Sequence, residues 1–523
     1  MERTHRTVAK RLWTSKLASI VPLVYLFAAL LVPFAVNLHF VGGVNWRAIV
    51  ENSGKIRFTI WQAFLSSVLT MLIGLPGAYL VGRTRMHPLV KKIFRIMASV
   101  PFVLPGITMA IGFFLAFGRN GLYTRFLQLF GFSPRILYTF GAVLLGHVFY
   151  NFPLFIRIVG EAWEALDGHI IESAKLDGAS NWDIFRFVEL PILLPSILRA
   201  FFLTYVYTFT SFSVVLILGG IKYSTIEVAI YMYSRILFDF KSAAALMIFQ
   251  LIFIATLGYL TSTKLGTEEK HYHVHLEKFP KWGIGFLVLA SVLIFVPLVY
   301  SGLSGFVDFF GKFSLENFKL LFSGDLEYLI GASLSQIVFY TLLIAVSSTL
   351  LAIAIGTIAG YFSSRGMKVQ YIVLLPTALS SVTIAFSYVL LKFPPVLKII
   401  VVHSLINLPI VFGILDAGWR KVSQSLLEAA RIDGARTFRL LSKVVFPLMW
   451  RAVMTAFVYA FTISVGETSA TLTLAEPPIM TFAVAVFRLM SSRNVEIAMA
   501  LNTLYFAFVL VLFTLVELSR TGE

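Results

Sequence analysis

The sequence predicts an all-α polytopic membrane protein with about twelve transmembrane helices, arranged as two parallel repeats of six helices. The first observation is composition: 58% of the residues are hydrophobic and 13% are charged, whereas soluble domains carry about 25% charged residues. The second is a set of apolar runs that reach the roughly 20 residues a helix needs to cross a bilayer. The third is a polar segment beginning at Glu172 that recurs 256 residues later at Glu428.

Six apolar runs precede the middle of the chain and six follow it. They lie at roughly 18–41, 58–82, 93–117, 136–160, 197–219 and 243–263, and then near 283–303, 331–362, 370–391, 396–415, 453–475 and 498–519. These runs divide the chain into five parts. The parts are a basic segment with the first span (1–57), a first transmembrane domain (58–263), a cytoplasmic linker (264–282), the first span and loop of the second half (283–330), and a second transmembrane domain (331–523).

Basic residues are concentrated in short loops on one side of the predicted helices. The clusters are Arg3, Arg6, Lys10, Arg11 and Lys16 before the first span, Arg83, Arg85, Lys91, Lys92 and Arg95 after the second, and Arg420, Lys421, Arg431, Arg436, Arg439 and Lys443 after the tenth. Because short cytoplasmic loops are rich in lysine and arginine, this pattern predicts a cytoplasmic amino terminus. It also explains the net charge of +17 without nucleic acid as a partner, and membrane lipid is the expected surrounding.

The sequence contains no cysteine, which excludes disulfides, cysteine-ligated zinc, iron–sulfur clusters and thiol nucleophiles. His271, His273 and His275 lie in the linker, where a solvated loop is the simpler interpretation than a metal site. There is no His-Glu-x-x-His motif, and Lys312 is not followed by the serine or threonine that a phosphate-binding loop requires. We therefore expect no catalytic residue, no bound metal and no cofactor in this chain.

The repeat extends well beyond the polar segment. At the spacing of 256 residues the matched pairs include His147 with His403, Asn151 with Asn407, Pro153 with Pro409, and Trp163 with Trp419. Further upstream Tyr79 matches Tyr361 at a spacing of 282 residues, which predicts an extra segment in the first half, for which 119–135 is the candidate. The matched histidines are expected to form hydrogen bonds between helices rather than to bind metal.

Each copy of the polar loop is predicted to fold as a helix, a glycine break and a second helix. Gly178 and Gly434 can adopt the left-handed conformation that ends a helix. Ser180 and Asp183 have the spacing of a capping box, which the second copy lacks. A hairpin of this kind, present twice on one face of the membrane, would transmit a sideways push to the spans on either side.

The two loops resemble the EAA loop of ABC importer permeases, in the family of binding-protein-dependent transport inner-membrane components. The matching residues are Glu172, Ala174, Asp177, Gly178, Ala179 and Pro191 in the first copy, and Glu428, Ala430, Asp433, Gly434, Ala435 and Pro447 in the second. The resemblance implies that each loop is a coupling helix that docks on a cytoplasmic ATPase, within the fold of a type I importer. Ser173, and Arg451 in place of a proline equivalent to Pro195, depart from the pattern and imply that the two ATPase contacts differ.

The resemblance also implies partners and a location. The chain would be a permease subunit in a bacterial or archaeal cytoplasmic (inner) membrane, assembled with two ATP-binding-cassette subunits that hold ATP and Mg²⁺ and with an extracytoplasmic solute-binding protein. Fusion of two permease domains in one chain is similar to ferric-iron and thiamine permeases. Ferric iron is therefore the leading solute and thiamine the second, with phosphonate and polyamine as alternatives.

Glu467 lies within or at the end of the eleventh apolar run, where an ionisable residue is costly and marks a functional hypothesis. Its partner in the repeat is Ser211. Two interpretations remain open: contact with the solute in the translocation pathway, or a gate or packing role with a hydrogen-bonded partner. The competing class is an ion-coupled secondary transporter, which would require acidic residues within the spans and would leave the repeated cytoplasmic loops unexplained.

Overall fold

The structure, a computed structural model, describes residues 20–103, 105–118, 120–132, 135–262, 276–307, 312–435 and 437–521. The described residues form helices and loops, with two isolated β-bridges and no named strand among them. The basic residues predicted before the first span, the three linker histidines and Arg436 lie outside the described residues.

Within its described residues, the first half has nine main helices and two shorter helices in its loops, at Arg47–Glu51 and Leu122–Gln128. The main helices are α1 (Ile20–Val41), α2 (Ser53–Arg83), α3 (Pro88–Val103), α4 (Gly106–Ala116), α5 (Phe140–Glu164), α6 (Gly168–Leu176), α7 (Asn181–Phe209), α8 (Ile226–Tyr231) and α9 (Phe240–Ser262).

The second half has a similar order, with short helices at Glu316–Phe322, Asp325–Ile330 and Gln370–Val373 in its loops. The main helices are α10 (Lys281–Gly302), α11 (Leu334–Ser364), α12 (Ser381–Phe386), α13 (Pro395–Arg420), α14 (Gln424–Ile432), α15 (Ser442–Gly466), α16 (Ser469–Leu474), α17 (Phe482–Ser491) and α18 (Val495–Thr521). Gln370–Val373 stands in the place of α3, and the counterpart of α16 in the first half is the π-helical segment Val215–Gly219.

Ten helices in the described ranges are long and apolar enough to cross a membrane, and the third predicted run of each half is broken. In the first half Pro105 has an extended backbone and is the N-cap residue of α4, a position where its missing amide hydrogen costs no helical hydrogen bond. In the second half α12 begins after Ser380, whose hydroxyl accepts a hydrogen bond of 3.1 Å from the Thr383 amide. The two-repeat all-α architecture is confirmed, with ten long helices and shorter apolar helices beside them.

Equivalent helices pack together in both halves. Helix α2 packs along α5, and α11 packs along α13. The close approach depends on glycine: a Cβ on Gly74 would lie 2.5 Å from Phe155 Cβ, and one on the matching Gly356 would lie 2.8 Å from Val411 Cγ1. Small residues at such crossings let helix backbones approach in a membrane.

The extra segment of the first half is divided in two. Helices α4 and α12 begin 275 residues apart, between the spacing of 282 upstream and that of 256 downstream. Seven extra residues therefore precede α4 and nineteen follow it. The predicted candidate at 119–135 accounts for the larger part, which contains the helix Leu122–Gln128.

The first span of each half packs against the other half. Helix α1 reaches the second half, where the Tyr388 hydroxyl donates to the Ala29 carbonyl and the Asn37 amide donates to the Phe386 carbonyl. Helix α10 packs on the first half, where the Ser301 hydroxyl donates to the Thr108 carbonyl at 2.6 Å. The two halves are thereby interlocked, although the chain order places each first span beside its own half.

Gly112 is expected to be essential for this interlock. A Cβ at Gly112 would lie 2.1 Å from the Pro297 carbonyl oxygen, so Gly112→Ala must push α4 and α10 apart. Overpacking of this kind costs about 1–3 kcal/mol, and we expect a lower melting temperature in detergent, followed by tryptophan fluorescence. Gly285→Ala on α10 is the control, because its Cβ meets open space; equal melting of the two variants would contradict the prediction.

Candidate functional site

The first polar loop is a helical hairpin closed by a glycine in the left-handed conformation. Helix α6 ends at Gly178, where φ is +82°. The Ala179 amide donates to the Ala174 carbonyl at 3.0 Å and the Gly178 amide donates to the Lys175 carbonyl at 3.1 Å. These two bonds form a Schellman motif, which satisfies carbonyl groups that the helix end would leave without partners.

The second loop closes in the same way 256 residues later. Gly434 has a φ of +81°, and the Ala435 amide donates to the Ala430 carbonyl at 3.0 Å. The spacing of alanine and glycine in both copies therefore has a direct structural reason. The glycine supplies the positive φ, and the residue after it bonds back across the last turn.

The residues assigned to the coupling loops lie at the surface of these hairpins. The glutamates, aspartates, glycines and prolines are exposed: Glu172, Asp177, Gly178 and Pro191 in the first loop, and Glu428, Asp433, Gly434 and Pro447 in the second. The alanines are half-buried: Ala174 and Ala179 in the first loop, and Ala430 and Ala435 in the second. The two copies therefore present the same chemical pattern to the solvent.

Sequence reasoning missed one apolar residue at the tip of each hairpin. Leu176 is 89% exposed and Ile432 is 85% exposed, at equivalent positions of the repeat. The sequence could have identified both residues, since each is an apolar residue in the last turn of a helix that otherwise ends in polar residues. Both hairpins therefore present an exposed aliphatic side chain at the same position of the repeat.

The helix after the first glycine begins with a reciprocal cap. Ser180 and Asp183 form the predicted capping box, with the Asp183 amide donating to Ser180 Oγ at 3.2 Å. The cap position of the second copy, Arg436, lies outside the described residues. In the described part of the loops, the first hairpin therefore has a hydrogen-bonded helix end before its glycine and a hydrogen-bonded helix start after it.

A buried ion network holds the first hairpin against α2. Arg83, at the end of α2, is 1% exposed, and its Nε lies 2.7 Å from Glu189 Oε1 on α7. The other oxygen of Glu189 accepts a hydrogen bond of 3.1 Å from Trp163 Nε1 on α5. A buried charge is tolerated only when it is paired and hydrogen-bonded, and here one arginine joins three helices beside the loop.

The end of the linker joins the same network. Glu277 Oε1 lies 3.2 Å from Arg83 Nη2, and its other oxygen accepts a hydrogen bond of 2.9 Å from the Tyr79 hydroxyl. Its backbone also pairs with that of α2, since the Glu277 amide donates to the Arg83 carbonyl at 2.9 Å. The connection between the halves is therefore attached next to the first hairpin.

The second half differs from the first at two positions of this network. The position of Glu189 is taken by Val445, which is buried, and Arg365 stacks over the Tyr361 ring at 5.4 Å. Trp419 Nε1 donates instead to the Thr357 carbonyl at 3.0 Å. The aromatic pairs Tyr79–Trp163 and Tyr361–Trp419 are shared, so the repeats differ in charge and keep the same aromatic packing.

Glu467 and Ser211 both follow the end of a long helix, at equivalent positions in α15 and α7. Glu467 Oε2 accepts a hydrogen bond of 3.2 Å from Ser381 Oγ, and Oε1 accepts one of 2.9 Å from the Ala470 amide. Both residues are half-buried. Glu467 thus has the hydrogen-bonded partners that a gate or packing role requires. It also lies at a helix break between the halves.

The paired histidines form hydrogen bonds between helices. His147 Nδ1 lies 3.2 Å from Ser66 Oγ on α2. His403 Nδ1 lies 2.7 Å from Ser464 Oγ on α15, and its Nε2 lies 2.8 Å from Thr471 Oγ1 on α16. These contacts place both histidines in the packing of the bundle.

The family described as the binding-protein-dependent transport system inner membrane component matches residues 74–266 and 352–520. Each match contains one of the two hairpins, so the repeated unit is the family's unit. Together the two matches cover more than half of the chain.

Curated relatives are transport permeases. The chain is 30% identical over 270 residues to the thiamine transport system permease protein of Haemophilus influenzae, covering 50% of this chain and 49% of the relative. It is 36% identical over 199 residues to the corresponding protein of Brucella abortus, covering 37% and 36%. A ferric transport system permease protein of Haemophilus influenzae is 25% identical over 454 residues, covering 81% and 71%.

The matches to the thiamine permeases span about half the length of those relatives or less. The apolar helices and these relatives together describe a multi-pass protein of the inner membrane. Two interlocked halves, each with the family's region and the same glycine-closed hairpin, lead to one assignment. The chain belongs to the binding-protein-dependent transport system inner membrane component family.

Proposed function

We propose that this chain is the permease subunit of an ATP-driven ABC importer and forms the solute pathway between its two halves. The observation that carries the proposal is the pair of matched hairpins, each with an exposed aliphatic tip at Leu176 or Ile432. Each hairpin would dock on one ATPase subunit at the cytoplasmic face. The positive-inside pattern of the sequence predicts that the amino terminus lies on the same face.

The hairpins are suited to transmit force. Each lies between two long helices, α5 and α7 in the first half and α13 and α15 in the second. Movement of the two ATPase subunits toward each other on ATP binding would carry both hairpins and tilt these helices. A ligand shifts such an equilibrium only by its different affinity for the two states, so the docked binding protein and ATP together favour the outward-facing arrangement and hydrolysis restores the inward-facing one.

The remaining partners follow from the same proposal. ATP and Mg²⁺ are held by the ATPase subunits, and this chain needs no cofactor and catalyses no reaction. An extracytoplasmic binding protein delivers the solute. The named relatives make thiamine and ferric iron the two candidate solutes for this chain.

Native mass spectrometry of the tagged chain, extracted gently from its own cells, tests the proposal. We expect two copies of an ATP-binding subunit to accompany the chain, and a co-purified binding protein to carry the solute. Vesicles containing the whole assembly should accumulate that solute only when ATP is present on the cytoplasmic side. If the chain purified alone in several mild detergents and still drove accumulation on an ion gradient, the secondary-transporter alternative would replace the proposal.

A further inference from the structure

A buried glutamate that sequence reasoning did not identify lies at the start of α8. Glu227 is 1% exposed, and its Oε2 accepts a hydrogen bond of 2.8 Å from Gln250 Nε2 on α9. Its Oε1 has no hydrogen-bond partner among the described residues, and neither has Gln250 Oε1. The first half therefore leaves the buried Glu227 carboxylate only partly hydrogen-bonded, and its other neighbours come from the second half.

Glu227 faces the second half, where Glu467 is its neighbour. Ser380 and Val382, at the start of α12, lie beside the Glu227 carboxylate, and the charge of Glu467 acts on it. The adjacent Ser381 donates to Glu467. On the other side, a Cβ on Gly466 would lie 3.5 Å from Pro105 of the first half, so Glu467 also lies at the boundary between the halves.

No lysine or arginine in the described part of the chain forms an ion pair with either carboxylate. Buried acidic residues in membrane proteins are ordinarily paired or lie on a solute or ion pathway. The two carboxylates come from different positions of the repeat, because Ala483 matches Glu227 and Ser211 matches Glu467. Each half thus contributes one acid, and the pair forms only when the halves meet.

A cavity of about 730 Å³ opens between the halves at the far ends of α8, which carries Glu227, and of α16, which begins two residues after Glu467. Tyr231, at the end of α8, lines it, and so do Leu472 and Ala475 at the end of α16. Glu227 lies four residues before Tyr231 on α8, which is about 6 Å along the helix from the cavity. The acids therefore lie deeper in the bundle than the cavity.

The lining of the cavity is basic. Arg235 Nη2 lies 3.9 Å from Glu476 Oε1, and Arg488 Nη2 donates to the Ala475 carbonyl at 3.1 Å. A positively charged entrance lowers the local concentration of free cations. A cation would reach the deeper acids when a docked protein releases it directly into the cavity.

We propose that Glu227 and Glu467 form a transient binding site for a positively charged solute between the two halves. The proposal rests on the importer function proposed above and defines its solute class as cationic. Gln250, Ser380 and Ser381 supply the surrounding oxygen atoms. Glu227 is enclosed in the described arrangement and Glu467 is half-buried, and rotation of the halves would open the site alternately to the cavity and to the cytoplasmic side.

The test uses the whole assembly, with its ATPase subunits and binding protein, in vesicles. The variants are Glu227→Gln, Glu467→Gln and the double variant, and the probes are radiolabelled thiamine and radiolabelled ferric iron, each loaded on the binding protein. For the probe that the wild type transports, we expect each single variant to lower uptake about tenfold, as loss of one charge-assisted contact does. The double variant should lower it further, with subunit composition and ATP hydrolysis retained.

A second readout separates binding from packing. Dicyclohexylcarbodiimide labels buried carboxylic acids, and mass spectrometry locates the modified residue. We expect the transported probe to reduce labelling of Glu227 and Glu467 during ATP-driven turnover. Labelling of carboxylic acids in other parts of the chain should not change. The control for the uptake assay is Glu316→Gln, which replaces an exposed glutamate. This variant should take up the probe at the wild-type rate.

Three results would overturn the proposal. The first is uptake by the double variant at the wild-type rate. The second is a loss of uptake that is fully explained by loss of the folded assembly, when the probe also gives no protection from labelling. The third is transport of an anionic solute that becomes faster in the glutamine variants. Failure of the importer function itself is distinguishable, because the wild-type chain would then lack ATPase subunits or ATP-dependent uptake.

Discussion

Gly178→Glu and Gly434→Glu are each expected to abolish ATP-driven uptake while the bundle remains folded. Both glycines have a positive φ near +80°, where a side chain costs about 1–2 kcal/mol, and a Cβ at either position would meet open space. The new carboxylate would project from the tip of the hairpin, next to Leu176 or Ile432. An unpaired charge at the centre of an interface weakens binding by about 2 kcal/mol or more, roughly thirtyfold.

The measurement compares co-purification of the ATPase subunits, uptake into vesicles and the melting temperature for each variant. Gly324→Glu is the matched control, since Gly324 also has a positive φ and open space around its Cβ but lies in the loop after α10, at the other end of that span from the predicted cytoplasmic linker. We expect the control to keep ATPase binding at a similar melting temperature. Full uptake and full ATPase binding in Gly178→Glu or Gly434→Glu would show that the hairpins are not the coupling elements.

Arg83→Met is expected to destabilise the first half strongly, whereas Arg365→Met, at the matching position, should have little effect. Removal of Arg83 leaves Glu189 buried without its cation, and breaking a buried ion pair in this way costs about 3–5 kcal/mol. Arg365 is exposed and stacks on Tyr361, so methionine can keep much of its packing. Melting followed by tryptophan fluorescence should report the loss, because Trp163 donates to Glu189.

A double-mutant cycle identifies the cause of the loss. Arg83→Met combined with Glu189→Leu replaces the pair by the apolar contact that the second half makes at Val445, and it should recover part of the lost stability. Similar melting temperatures for Arg83→Met and Arg365→Met would contradict the assigned role. The same would be true if the double variant were as unstable as the sum of the two single variants.

The unequal attachment of the two hairpins has a consequence for coupling. The first hairpin is joined through Glu189 and Arg83 to α2 and, through Glu277, to the linker between the halves. The second meets its neighbours through apolar packing that includes Val445 and Leu440. Buried ion pairs with defined geometry restrict movement more than apolar contacts do, so the first hairpin and α2 should move as one body.

The sequence by itself determined the membrane class, the repeat and the hairpins. Hydrophobic composition is sufficient for the first, because lipid leaves helices as the only local way to satisfy the backbone. The spacing of Ala174, Gly178 and Ala179 is sufficient for the turn, because the Schellman motif is a local structure whose bonds span six residues. Glu467 could also be recognised from its local sequence, because it is a charged residue in an apolar run.

The tertiary structure alone decided the features that join distant residues. Breaks in the third run of each half depended on where Pro105 and Ser380 fall in the bundle, and the interlocked first spans depended on contacts such as Ser301 with Thr108. Arg83 is one of several basic residues at a helix end in the sequence, and its burial follows from Glu189 and Glu277 meeting it. Glu227 and Glu467 are 240 residues apart in the chain, and their relation follows from packing between the halves, which no local spacing of residues encodes.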